Sequence, residues 1–158
     1  MKTLKSLTGK LIAKQIEDGK INKTQTISKE AAENQVVELL NYYDIDIETF
    51  DMTKDTEFAG ERTLKALVNY YRKGQLKNRK DEKSFKVIQT LRSGTTVDYG
   101  EPTATTKMQL DKVDNNDTYE RIYTFMGSLG NLDIESIKKF HSNDLAVLEV
   151  LGNTFLLA

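Results

Sequence analysis

The apolar residues of this chain occur in short periodic runs, and the run at residues 145–148 is only four long. A helix that crosses a membrane needs about 20 apolar residues in succession, so the sequence predicts none. With 38% hydrophobic and 30% charged residues among 158, the chain must build its core by packing amphipathic elements together. The absence of cysteine excludes disulfides and thiolate metal sites, and the length is that of about one domain.

Three short capped helices are predicted at the C-terminal end. Asp117 and Glu120 have capping-box spacing, and Gly130 ends the first helix. Asp133 can cap the second helix and Ser142 the third. Apolar residues repeat at helical intervals in the first and third helices: Tyr119, Ile122, Phe125, Met126 and Leu129, then Leu145, Leu148, Leu151, Phe155 and Leu156. The short links between them predict one folded-back helical unit.

The N-terminal part combines a hairpin pattern with two helical patterns. The Asp18-Gly19 turn predicts a β-hairpin over roughly residues 10–27. Ser28 can cap a helix over 29–43. A second helix begins at Thr53 or Asp55 and stops before Gly74, which can take the left-handed conformation that ends helices.

The middle of the chain is predicted to form a second hairpin. Alternating apolar residues predict strands over 85–91 and 96–99 around Gly94, and a polar helix follows over 105–113. The predicted fold class is therefore α+β, mainly helical, with two small β-hairpins and the C-terminal unit of three short helices.

The polar segment 77–83 is predicted to be an exposed linker. It divides the chain into a hairpin-plus-helices region, residues 1–84, and a hairpin with a helical subdomain, residues 85–158.

Charge is arranged in blocks. Net charges of +5, −9, +8 and −5 fall in residues 1–29, 30–61, 62–92 and 93–158, which add to −1. Such blocks favour ion pairing within the chain or head-to-tail contacts between copies, or they are the solvated faces of separate elements.

One basic stretch forms a candidate contact loop close to Tyr70 and Tyr71. Basic groups beside aromatic rings can hold a phosphate backbone, and an exposed basic linker can also meet an acidic protein. The pI of about 5.9 argues against a dedicated nucleic-acid binder. The residues of this candidate loop are Arg72, Lys73, Lys77, Arg79, Lys80 and Lys83.

The sequence offers little catalytic or metal-binding chemistry. His141 is the single histidine, so multi-histidine metal sites are excluded. We interpret His141 as a solvated loop residue. Asp44, Asp46 and Glu48 resemble the start of a calcium loop, but Thr49 stands where that loop needs glycine. Neither a P-loop nor a dinucleotide-binding glycine motif occurs. We therefore expect no enzymatic activity, no cofactor and no specific metal site.

Residues 85–157 resemble the tail assembly chaperone family of contractile and related long-tailed phages, the tail protein E-like proteins. The similarity lies in the hairpin around Gly94, the step Glu101-Pro102-Thr103, the break at residues 129–132, and Asp144 ahead of a final apolar helix. The extension over residues 1–84 departs from the family's usual short form.

The resemblance implies a non-enzymatic phage protein that holds a tail component, such as the tape measure, in the host cytoplasm before the tube polymerises. Its partner-binding surface would be apolar and helical: Phe125, Met126, Leu148, Leu151 and Phe155. A virion structural or adaptor protein that assembles through subunit contacts is the alternative, and its location would be the virion. A small nucleic-acid or regulatory binding protein is a second alternative.

Overall fold

The computed structural model describes residues 26–45 and 54–156, with side chains of the second range described from Arg62 onward. The described elements confirm an α+β fold that is mainly helical. The hairpin predicted over residues 10–27 lies almost wholly outside the described residues. In chain order the elements are α1 (Lys29–Tyr42), α2 (Lys54–Arg72), β1 (Leu76–Lys80), β2 (Phe85–Thr90), β3 (Thr96–Tyr99), α3 (Ala104–Asp111), α4 (Thr118–Gly130), α5 (Ile134–Lys138) and α6 (Ser142–Leu156).

The three strands form one antiparallel sheet in the order β1-β2-β3. The β2–β3 hairpin is as predicted, but the linker predicted over residues 77–83 is wrong, because β1 occupies most of it. Asp81 N–H donates to Ser84 O at 2.9 Å and closes the β1–β2 turn. The predicted division between residues 84 and 85 therefore falls inside a hairpin.

The hydrophobic core lies on one face of the sheet, where the helices pack. Alternate residues of β2 and β3 point into it, among them Phe85, Val87 and Tyr99. Helices α1, α4 and α6 contribute their buried stripes to the same cluster. Because one contiguous core joins elements from both halves of the chain, the sheet and the helices are mutually dependent for stability.

A buried polar network ties the sheet to α6. The Gln89 side chain is fully buried; its Nε2 donates to Asp144 O at 2.9 Å, and Tyr99 Oη donates to its Oε1 at 2.6 Å. Arg92 N–H donates to Asp144 Oδ1 at 3.0 Å. Burial raises the pKa of Tyr99, so its phenol stays a neutral hydrogen-bond donor.

Helix caps predicted from the sequence are confirmed at three positions and wrong at one. Ser28, Asp117 and Asp133 each accept a hydrogen bond from the first turn of the following helix. At α6 the capping residue is His141 rather than Ser142. Its Nδ1 accepts from Asn143 N–H at 3.1 Å and its carbonyl accepts from Leu145 N–H. A ring nitrogen thus replaces the expected serine oxygen, and His141, although exposed, has a structural role.

Candidate docking groove

Helix α1 has two distinct faces. One is the core stripe Ala32, Val36, Leu39 and Leu40. The other is a second stripe at positions i, i+3, i+4, i+7 and i+8, all of whose members are exposed: Asn34, Val37, Glu38, Asn41 and Tyr42. Residues at this spacing line one side of a helix, which is the geometry by which helices pack against each other.

This second stripe forms one wall of a shallow groove, and β1 supplies the other wall through Lys80. The six residues enclose about 460 Å³ of open volume. We call this concavity the α1–β1 groove. Lys80 is the register partner of Phe85, so the two side chains share one face of the sheet.

Asn78 fixes the distance between the two walls. Its N–H, which points away from β2, donates to Gln35 Oε1 at 2.9 Å, and its Nδ2 donates to Gln35 O at 2.8 Å. Its Oδ1 accepts from Tyr71 Oη at 2.5 Å. The outward N–H at the middle of this edge strand is thereby used, so an added strand could not pair there.

Tyr42 lies at one end of the groove and makes side-chain contacts there with Phe85 and Glu101. Its ring stacks on Phe85 with a centroid separation of 4.5 Å and an interplanar angle of 19°. Its hydroxyl donates to the Glu101 carboxylate, and this hydrogen bond raises the pKa of Tyr42. Because the ring is already oriented, a ligand that contacts it loses little side-chain entropy on binding.

Two exposed apolar side chains line this groove. Among residues whose side chains are described, four large apolar side chains are exposed, and Val37 (48%) and Tyr42 (39%) both line the groove. The other two, Met108 (65%) and Tyr119 (63%), lie on α3 and α4 and are more exposed. What distinguishes Val37 and Tyr42 is that they are neighbours in one concavity.

The two walls carry opposite charges. Glu38 lies on the α1 wall and Lys80 on the β1 wall. Within residues 26–45 and 62–156 neither of them forms an ion pair. Glu38 receives only a long contact of 3.4 Å from Asn78 Nδ2. Both charges are therefore available to an incoming molecule.

The chemistry of this lining suits contact and hydrogen bonding. It consists of two amides, one carboxylate, one ammonium, one phenol and one aliphatic side chain.

The residues considered for catalysis or metal binding lie outside the groove. His141 is at the start of α6, where Arg92 Nη1 is 3.0 Å from its Nε2. In the described part of the chain no group of three carboxylate or imidazole residues could hold a metal ion. Asp44 follows the C-cap residue of α1 and has a φ of 51°, and Asp46 and Glu48 lie outside the described residues.

The predicted partner-binding residues of the C-terminal helices lie in the core. Met126, Leu148 and Leu151 are fully buried, and Phe125 nearly so. Phe155 is partly buried, and its ring centroid lies 4.9 Å from that of Tyr43. Packing gives all five a structural role, and partner binding by them stays a prediction.

The predicted basic loop is not a loop. Arg72 ends α2 and Lys73 follows it, Lys77, Arg79 and Lys80 belong to β1, and Lys83 lies in the turn. Strand alternation directs Arg79 to the face opposite Lys80, where its Nη2 meets Asp98 Oδ2 at 3.1 Å. Tyr71 is fully buried, so it cannot stack on a base. Lys80 is the one member of this set that lines the groove.

The sequence interpretation missed Asn34, Val37, Glu38, Asn41 and Tyr42 as a set. The available signal was their helical spacing, in addition to the core stripe of the same helix. The spacing along α1 could not show that Lys80 forms the opposite wall, because Lys80 is distant in the sequence.

Comparison of the chain with protein-family models, with curated proteins and with solved structures finds no match. None of the described helices combines the length and apolar character that crossing a membrane requires.

Proposed function

We propose that this protein is a non-enzymatic binding protein that holds another protein in the α1–β1 groove. The observation that carries the proposal is the pairing of Val37 and Tyr42 in one concavity, with Tyr42 fixed by Phe85 and Glu101. Exposed apolar groups beside a pre-oriented aromatic ring are typical of protein contact sites.

Within this class we propose a phage tail assembly chaperone that binds a tail component such as the tape measure in the host cytoplasm. The support is the resemblance of residues 85–157 to that family; the six residues that line the groove lie outside this segment, in the extension over residues 1–84. Two residues of the resembling segment, Phe85 and Glu101, are those that hold Tyr42 in place. The nucleic-acid alternative is weakened, since Tyr71 is buried and Arg79 is paired with Asp98.

Replacing Val37 by Gln tests the proposal. The full chain is titrated with segments of the tape-measure protein of the same phage, and affinity is measured by calorimetry. Val37 is about half exposed, so binding can bury only about half of its side chain and the loss should be about 0.7–1.5 kcal/mol. V37Q should therefore weaken binding about 3- to 10-fold. The half that is already buried contributes to the fold, so the melting temperature should fall by about 2–6 °C.

Met108→Gln is the matched control, since it places the same polar residue at an exposed apolar position of another helix. M108Q should bind like the unmodified chain. Equal affinities of V37Q and the unmodified chain would place the binding site outside the groove. Failure of every tape-measure segment to bind would contradict the chaperone assignment.

A further inference from the structure

The exposed stripe of α1 has the dimensions of a helix-packing site. It extends from residue 34 to residue 42, about 12 Å at 1.5 Å per residue, or just over two turns. Asn34 and Asn41 are seven residues apart, with Val37 between them, which is the spacing of coiled-coil seam positions. The hydrogen bonds from Asn78 to Gln35 block strand addition along β1 at that point. The stripe thus has the spacing on which another helix can pack, whereas strand addition is blocked at Asn78.

The charges of the walls specify what must flank that helix. On the α1 wall the charged residue that lines the groove is Glu38. The opposite wall presents Lys80, which has no ion-pair partner among the residues whose side chains are described. Complementarity therefore requires basic residues on the flank of the partner that meets α1 and acidic residues on the flank that meets β1.

A two-fold contact between the α1 stripes of two copies does not satisfy this requirement. In a two-fold contact between two α1 stripes, residues near the middle of the stripe face their own copies. Glu38 is the middle position between residues 34 and 42. The two Glu38 carboxylates would then lie close together, and like charges in close contact are unfavourable.

We propose that the occupant of the α1–β1 groove is an amphipathic helix of a different chain, with an apolar stripe between one basic and one acidic flank. This inference rests on the proposed function and deepens it by naming the class of partner. The opposite charges of the two walls also set the direction in which the helix binds, because reversing the helix exchanges its two flanks.

Two synthetic helical peptides test the inference against the full chain. They share one Leu/Val stripe over about three heptads. The first has one basic and one acidic flank, and the second has two acidic flanks. The unmodified protein should bind the first peptide about tenfold more tightly in fluorescence anisotropy, and the preference should shrink as salt is raised.

Glu38→Lys makes both walls basic and should reverse the preference in favour of the second peptide. Equal binding of the two peptides by both proteins would overturn the charge assignment. Binding of neither peptide would overturn the helical partner. Self-association that is abolished by V37Q would overturn the assignment to a different chain.

Val37→Gln separates these results from a failure of the proposed function. If V37Q weakens binding of the tape-measure segment and neither peptide binds, the groove is the binding site and only the assignment of the partner as a helix is wrong. If V37Q leaves both the segment and the peptides bound, the groove itself is the wrong site.

Discussion

Replacing Leu148 by Ala is expected to destabilise the fold by about 2–5 kcal/mol, because the side chain is fully buried and its removal leaves a cavity. Proteins of this kind have total stabilities of about 5–15 kcal/mol, so the loss is a large part of the whole. At this chain length each kcal/mol lowers the Tm by about 2–4 °C. Thermal and urea unfolding followed by circular dichroism measure the effect.

Met108→Ala is the control, since it truncates a mostly exposed side chain on another helix. It should change the free energy of unfolding by less than about 0.5 kcal/mol. A Leu148→Ala protein with normal stability but impaired partner binding would instead support a docking role for the C-terminal helices, as the sequence interpretation proposed.

The second large effect is expected in the buried network of Gln89. Gln89→Leu leaves the buried Tyr99 hydroxyl without its acceptor and should cost about 1–3 kcal/mol. Tyr99→Phe leaves Gln89 Oε1 unpaired and should cost a similar amount. The double variant removes both polar atoms together, so its loss should be clearly smaller than the sum of the single losses.

Urea unfolding of the four proteins of this cycle measures the coupling. Additive losses would mean that the Tyr99–Gln89 hydrogen bond contributes nothing specific. The bond from Gln89 Nε2 to Asp144 O is lost in both variants that carry Gln89→Leu, and it therefore cancels from the coupling energy.

Local signals in the sequence predicted most of the described fold. Ser28, Asp117 and Asp133 act within three residues of themselves, so their capping roles could be deduced from spacing. The strands β2 and β3 alternate buried with less buried residues, a pattern also visible in the sequence, although Ile88 breaks it.

Strand β1 could not be predicted, since its inward positions are Leu76, Asn78 and Lys80, of which only one is apolar. Asn78 is stabilised at an inward position by Gln35 and Tyr71. The Gln35 partner is 43 residues away in sequence, and the pairing depends on the tertiary fold. The periodicity of apolar residues indicates local structure and cannot predict such long-range hydrogen bonds.

The sequence did not reveal the α1–β1 groove for a related reason. Apolar stripes such as Leu148 and Leu151 were assigned to the core and to the partner surface together, and periodicity cannot separate these roles. Exposure separates them, because Leu148 and Leu151 are buried whereas Val37 is not. The groove itself requires Lys80 to meet α1, which only the tertiary fold brings about.

The most direct test of docking at the α1–β1 groove is amide chemical-shift mapping of the full chain during titration with a binding tape-measure segment. Docking in the groove should give the largest shift changes at residues 34–42 and at Lys80, with residues 122–129 and 145–155 little affected. The largest changes in those two C-terminal segments, with the α1 signals unchanged, would show that the segment does not bind in the groove.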